Sequence, residues 1–517
     1  MEHLEEQEPQ LKASHDDQTR ALEVLADPAV HGGALPERID THLSHVFLGP
    51  EYALKLKRAL QFDFVDYGTE EKRHAYCLRE VEANRAWASE IYLGVEPVWV
   101  LNGQHGVGNP PEAAQILDWV VRMVRFPDSA RCDRLVENNA LSGELIDGFA
   151  DELAEIHRSS PAIHGVDLRA ELDRLVRQIA HDIDRGCGNP ELDQRIESWR
   201  EAALTTLHSN TAIVVDRAAK GFIRRCHGDL HLKNLVLWDD RLIGFDALEF
   251  DPGLTDIDTL YDLAYTLMDL VHHKRRDLAN RLLNRYLAVR DHYAGLELLQ
   301  LYVSMRAGIR ALAGFFAGQT KIPTAYFRLA EEAIAEYSGP VLLMIGGRSG
   351  SGKTTLARRI APQLPGALGA VHIRSDVLRK TLLGVAPEEP LSSKHYMDAE
   401  RLSVYAAMAK RCEKVVQSGS SCVLDATFLS SEAQEIAKAL ADKLAVPSAR
   451  VWLDAPNEVL AQRLAERDAD ASDADLKVLR KQLSLPDPAG WTKVDVTRAP
   501  KESAAEVKTL CCNIVQA

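Results

Sequence analysis

The ten residues GGRSGSGKTT, Gly346 to Thr355, constrain the fold of this chain more than any other stretch. They hold Gly347-Arg348-Ser349-Gly350-Ser351-Gly352-Lys353-Thr354, a complete GxxxxGK[ST] pattern with Thr355 next, between an apolar strand, VLLMI, and a helix, TLARRIAPQL. Glycines let backbone N–H groups converge on a phosphate, and the helix that follows turns its positive end toward it. Lys353 then reaches the outer phosphates and Thr354 offers a hydroxyl to Mg²⁺. The text beyond agrees. Short apolar strands (AVHIRS, SCVLDA, ARVWLDA, KVDVT) alternate with helices, the signature of a parallel α/β sheet, after a turn signal at Ser338-Gly339-Pro340.

Other residues follow the loop in an order that suits phosphoryl transfer. Asp376 and Arg379, in VHIRSDVLRK, sit just past the second strand, where such a sheet opens its ligand crevice. A carboxylate there orients or deprotonates an acceptor hydroxyl, and Arg379 is a candidate substrate contact. Asp425 ends the next strand and can hold Mg²⁺ directly or through water. Arg463 and Arg467 are four apart on one helix face, placed to close on a transferring phosphoryl group. For each of these the plain alternative is a solvated charge at the end of an element.

A second stretch, CHGDLHLKN at Cys226 to Asn234, speaks a different language. Asp229 and Asn234 have the spacing that a catalytic base and a metal-binding asparagine take in kinase-type catalytic loops. A hairpin text follows, LVLW, DDR and LIGF, and then Asp246, a further carboxylate for Mg²⁺. Two rival readings stand: a zinc site on His227 and His231, and a purely structural turn capped by the Asp and Asn.

A length of 517 residues exceeds what one core usually serves, so at least two domains are expected. Residues 1–338 are assigned to the first, with a strand-rich lobe at about 35–127 and a helical lobe at about 128–338; residues 339–517 form the second. In the first, TEEKRHAYCLREVEANRAWASEIY reads as a helix with Ala75, Leu78 and Val81 at helical spacing. The formal net charge of −15 disfavours nucleic acid and anionic membranes as partners, which leaves a small molecule. The acidic opening holds no secretory signal, and no apolar run reaches the roughly 20 residues of a bilayer span, so a cytoplasmic chain is expected. Eight scattered cysteines without a CxxC pair suggest reduced thiols.

From Val341 onward the order GxxxxGKTT, SDxxRK, LDAT and RLxxR resembles the zeta-toxin, polynucleotide-kinase and gluconate-kinase group of P-loop kinases. The resemblance implies that Asp376 contacts the acceptor hydroxyl and that the arginines form a lid. HGDLHLKN with its hairpin and Asp246 resembles the aminoglycoside-phosphotransferase-like kinases, a family that also phosphorylates choline, homoserine and sugars. That likeness implies a bilobal α+β protein-kinase-like fold over roughly 35–335. It also implies a strand lysine on the ATP phosphates, Lys55 or Lys57 of YALKLK, paired with a helix glutamate, Glu80. Two departures stand out: FDALEFD replaces the usual ending after the metal aspartate, so that Glu249 or Asp251 can share the role of Asp246, and Ser44 to Gly49 shows no glycine-rich lid. The pairing itself resembles a bacterial group of fused phosphotransferase-like and P-loop proteins. Together these imply a bifunctional kinase using ATP, or GTP, with Mg²⁺ and a small hydroxyl acceptor such as a sugar or amino sugar. The alternatives are a P-loop kinase regulated by a non-catalytic partner domain and a kinase acting on nucleic-acid ends.

Overall fold

The computed structural model describes residues 15–62, 65–187, 190–316, 321–335, 339–466 and 471–516. The chain divides into two compact units. The first runs through Leu145 and takes back Ile156–His164 and Gly221–Asp262; the second gathers Ile146–Glu155, Gly165–Lys220 and everything from Leu263 onward.

The first unit is built on an antiparallel sheet of β1 (Glu37–Asp40), β2 (Ser44–Leu48), β3 (Tyr52–Lys57), β6 (Tyr92–Leu101), β7 (Gln104–Val107) and β8 (Gln115–Val124), in the order β1-β2-β3-β8-β6-β7. A ribbon of β4 (Gln61–Phe62) and β5 (Val65–Asp66) stands beside it. Strand alternation does the sorting in YALKLK. Leu54 and Leu56 pack with Phe47, Val98 and Val120 under Ala21, Val24 and Leu25 of the helix His15–Ala26. Lys55 and Lys57 therefore point to the other face, toward the helix Glu70–Ala83.

That helix departs from its apolar spacing. Ala75 and Leu78 face solvent, and the buried positions are Arg73, Cys77 and Glu80. The reason is ion pairing, which makes a charged face buriable. Arg73 Nε donates to both oxygens of buried Asp118 at 3.0 and 2.9 Å, and the two lysines of β3 take Glu80.

Further on, β9 (Ile223–Arg225) pairs with β12 (Asp256–Asp258), and β10 (Leu235–Trp238) pairs with β11 (Arg241–Gly244). Trp238 faces Arg241 across a two-residue loop in which Asp239 and Asp240 have φ of 45° and 61°. Both central residues are left-handed, as the twist of a tight hairpin requires.

The second unit opens with long helices, among them Leu168–Cys187, Pro190–Ser209, Arg276–Arg290, Leu296–Phe316 and Lys321–Ile334. Buried Trp199 ties three of them together, donating to Ser304 Oγ at 2.8 Å while Ser304 donates to the Ala330 carbonyl. A five-stranded sheet follows, with β13 (Leu342–Gly347), β14 (Val371–Arg374), β15 (Cys422–Asp425), β16 (Ser448–Asp454) and β17 (Thr492–Asp495) in the order β14-β15-β13-β16-β17. Every pairing is parallel, as the alternating text predicts. Leu343, Ile345, Val451 and Leu453 form its core with Leu356 and Ile360 of the helix Lys353–Ile360 and Val507 of the helix Pro500–Gln516. No helix among the described residues is long and apolar enough to cross a membrane, and Cys77, Cys132, Cys226, Cys412, Cys422, Cys511 and Cys512 are free thiols.

Candidate functional site

On the inner face of the first sheet, five charged groups form an alternating chain. Lys55 Nζ donates to Glu80 Oε1 at 2.8 Å and to Asp246 Oδ1 at 2.6 Å. Lys57 Nζ donates to the other oxygen of Glu80 at 2.7 Å and to Glu249 Oε1 at 2.5 Å. The order is Asp246, Lys55, Glu80, Lys57, Glu249. Burial works against the Lys55 ammonium, but Asp246 and Glu80 outweigh it and hold its pKa well above the ordinary lysine value. Burial likewise opposes the Glu80 carboxylate, and the two lysines pull its pKa well below the usual range.

The two lysines are thereby distinguished. Lys55 is joined to Asp246, whose side chain is 45% exposed and open to a ligand, whereas Lys57 lies beneath, held by Glu249 and facing the Tyr67 ring. Glu249 also accepts from Tyr67 Oη at 2.9 Å, and Asp251 caps the short helix Pro252–Thr255 through Gly253 N. Both carboxylates offered by the sequence as substitutes for Asp246 thus have structural partners. Asp246 itself has φ of 63°, and its amide donates to Tyr92 Oη at 3.0 Å.

The loop Cys226–Asn234 is pinned from behind. Asp262 accepts from the amides of His227 at 3.3 Å and Gly228 at 2.9 Å. His227 Nε2 lies 3.0 Å from the Phe245 carbonyl, which can only accept, so Nε2 carries the proton and Nδ1 accepts from Asp229 N at 3.3 Å. With both ring nitrogens used by backbone, His227 is a brace and not a zinc ligand. Burial pushes its pKa down, against the pull of Asp262 and Asp229. Asn234 Nδ2 donates to Asp229 O and to Asp229 Oδ2, each at 2.9 Å, so the sequence-predicted pair meets. His157, Cys226 and Asp262 also come together, but Asp262 spends its oxygens on the two amides and His157.

In the second unit the loop Gly347–Thr354 closes the carboxyl end of β13. A Cβ on Gly347 would lie 2.5 Å from Ser351 Oγ, and one on Gly350 would lie 2.5 Å from the Leu460 carbonyl, so both positions require glycine. Lys353 Nζ donates to Arg348 O at 3.0 Å across the loop. Thr354 Oγ1 donates to Asp425 Oδ2 at 2.7 Å, which brings the two expected Mg²⁺ groups into contact. The same oxygen takes His372 Nε2 at 3.2 Å, with Arg374 Nε at 3.7 Å. Burial would raise the Asp425 pKa, but the His372 hydrogen bond and the charges of Arg374 and Lys353 hold it well below the usual carboxylate range. Burial lowers that of His372, against the pull of Asp425.

Asp376 accepts from Arg379 Nη1 at 3.0 Å, and the Arg379 guanidinium stands 4.5 Å from the centre of the Tyr396 ring. Arg463 donates to the Val496 carbonyl at 2.7 Å, and Arg467 lies outside the described residues. Thr355 follows Thr354 in the first turn of the helix.

Three groups escaped the sequence reading. His372 sits in an apolar strand text with nothing to mark it. Gln482 accepts from Ser349 N at 2.7 Å, and Asp487 takes Arg348 Nη1 at 2.6 Å, from far beyond the loop. Residue types fit the implied ligands. Thr354, Asp425, Asp229, Asn234 and Asp246 offer hard oxygens suited to Mg²⁺. Ser351 Oγ, buried in the loop, has no hydrogen-bond partner among the described residues, as suits a hydroxyl lining a phosphate cradle.

Comparison with known proteins finds two matching stretches. Residues 110–299 match the profile of the phosphotransferase enzyme family, and residues 342–488 match that of the AAA domain. Uncharacterised proteins of Mycobacterium tuberculosis and Mycobacterium bovis are 27% identical over 456 residues, covering 85% of this chain and 88% of theirs. Among solved structures, a gluconokinase from Sinorhizobium meliloti is 26% identical over 35% of this chain and 96% of its own, with a TM-score of 0.25. A choline/ethanolamine kinase family protein from Mesorhizobium loti is 14% identical over 62% of this chain and 95% of its own, with a TM-score of 0.34. The chain thus carries, in one polypeptide, a stretch that matches the phosphotransferase enzyme family and a stretch that matches the AAA domain.

Proposed function

We propose that the chain is a cytoplasmic bifunctional kinase that transfers the γ-phosphoryl group of ATP to hydroxyl groups of small molecules, with one site in residues 1–338 and one in 339–517. The observation that carries the reading is the meeting of Lys55 with Glu80 and Asp246, 25 and 191 residues away, beside a loop in which Asn234 holds Asp229. In the first site Lys55 binds the donor phosphates, and Glu80, fixed on both oxygens, keeps the lysine from swinging. Asp229 is the base. It accepts the proton of the acceptor hydroxyl, with Asn234 and His227 fixing its backbone and carboxylate.

In the second site the loop amides and Lys353 cradle phosphates, and Asp376 orients and deprotonates the acceptor, with Arg379 beside it as a substrate contact. Mg²⁺, held by Asn234 and Asp246 in one site and by Thr354 and Asp425 in the other, neutralises phosphate charge when bound. Arg463 and Arg467 stand as lid candidates.

The test is a pair of variants in the full chain, screened against a metabolite pool by mass spectrometry. Asp229→Asn is expected to remove one set of phosphorylated products and Lys353→Ala the other. Loss of no product in either variant sinks the bifunctional reading.

A second reading has its own support. The connection between β1 and β2, Thr41–Leu43, holds no glycine and is pinned by Thr41 Oγ1 to Ser44 and by Arg58 to the Thr41 carbonyl. A loop so fixed does not fold down over phosphates as a glycine-rich one does. The first site would then sense a ligand without transferring phosphate, and Asp229→Asn would change no product while Lys353→Ala removed all.

A further inference from the structure

Strand β14 is the edge of the parallel sheet, and one side of its backbone has no strand partner among the described residues. Exposed edges are usually left to water or blunted by charge. Here two asparagines from the helix Arg276–Arg290 take that side. Asn280 Nδ2 donates to the carbonyls of Leu368 at 2.8 Å and Ala370 at 2.9 Å. Asn284, one turn further along the same face, accepts from His372 N at 2.6 Å through Oδ1 and donates to Ala370 O at 3.3 Å and Asn280 Oδ1 at 3.0 Å. The docking is held at both ends, by Arg276 on the Gly366 carbonyl and by Arg285, which reaches Glu388 at 2.7 Å.

The two asparagines differ in what lies behind them. Asn280 holds the approach to the strand. Asn284 holds the residue whose ring is 3.2 Å from Asp425, and Asp425 in turn takes the Thr354 hydroxyl at 2.7 Å. A continuous line of four residues therefore runs from the phosphotransferase-family stretch to the oxygens assigned to Mg²⁺. Groups that orient a metal ligand from behind commonly matter about as much as the ligand's own orientation does.

We propose that Asn284 is a positioning residue for metal-dependent nucleotide binding at the loop Gly347–Thr354. The inference rests on the phosphoryl-transfer reading of that loop. Through Asn284, a helix outside the AAA-domain match sets the register of His372 and so the direction of the Asp425 carboxylate.

The experiment uses the full chain in a Lys55→Met background, which silences the first site, and measures ATP binding by calorimetry as Mg²⁺ is raised from a chelated start. Asn284→Ala is expected to raise the Mg²⁺ concentration for half-maximal ATP binding by about tenfold while leaving metal-free ATP affinity unchanged. Asn284→Asp keeps an acceptor for His372 N and is expected to restore most of the metal dependence. Asn280→Ala, which removes one contact of Asn284 but leaves its bond to His372 N in place, is expected to lower the melting temperature and to shift the metal dependence much less than Asn284→Ala does. Equal effects of Asn280→Ala and Asn284→Ala on the Mg²⁺ dependence, or none from either, overturn the assignment. If the background chain shows no Mg²⁺-dependent ATP binding that Lys353→Ala abolishes, the reading of the loop itself fails.

Discussion

Glu80 is a carboxylate that cannot rotate. Each of its oxygens is claimed by a different lysine, so the amine of Lys55 is held in place. Lys57 has the opposite character, at 2% side-chain exposure with Glu249 at 7%. Removing one partner of a buried pair leaves the other charge uncompensated, which costs about 3–5 kcal/mol. Lys57→Met is predicted to destabilise the chain by about that much in urea unfolding, and Lys57→Met/Glu249→Leu by clearly less, because the orphaned carboxylate is gone. A histidine gives the pH counterpart. His272 stacks on Tyr326 at 3.7 Å between ring centres, and burial pushes its pKa down to about 4. The unfolded chain, with an ordinary value of about 6.5, binds the proton first, so this contribution is present above about pH 6.5 and is lost as pH falls toward 4. Denaturant midpoints are predicted to decline over that window, and less steeply in His272→Phe.

At the scale of elements, periodicity and turn chemistry were legible and buried charge was not. The five parallel strands could be read because short apolar runs alternated with helices, and the hairpin because DDR interrupts two apolar runs, although its loop is only Asp239-Asp240 and Arg241 already opens β11. The helix Glu70–Ala83 was legible as a helix, yet its inward face was not, because the eye follows Leu78 and the core follows Arg73, Cys77 and Glu80. What makes those positions buriable is Asp118, Lys55 and Lys57, whose partnership no local pattern reveals. The same limit hid His372 and Gln482, which reach their loop from other strands and helices. Asp229, Asn234 and Asp246 could be found because the loop and hairpin keep them close in sequence. A backbone prediction belongs here. Asp240→Gly relieves a left-handed residue and is predicted to raise the melting temperature slightly in thermal unfolding, whereas Asp240→Val lowers it. At the phosphate loop, Gly350→Ala drives a methyl toward the Leu460 carbonyl at 2.5 Å; ATP affinity of the second site, read in a Lys55→Met background, is predicted to fall more than about tenfold.

For the molecule as a whole, a boundary near residue 338 is a boundary of text more than of packing. The second unit joins helices upstream of that point to the parallel sheet beyond it. Cutting there removes Asn280 and Asn284 from β14 and leaves an unblunted edge strand, a template for pairing with other chains. Residues 339–517 made alone are predicted to aggregate more readily and to melt lower than the same sheet within the full chain, as light scattering during a thermal ramp would show. Comparable behaviour of the two would mean that the asparagine contacts contribute little.

The edge-capping helix also has a place in time. Domains emerge from the ribosome in order, amino end first, and exposed strand edges are a hazard while a sheet is incomplete. Arg276–Arg290 leaves the ribosome about 80 residues before β14 does, so the segment that covers the sheet's edge has emerged when that strand appears. Biosynthesis thus supplies the edge with its cover before the edge exists. A circular permutant that places the phosphate-loop region first reverses this order, and its soluble yield is predicted to fall even where its purified melting temperature matches that of the parent chain.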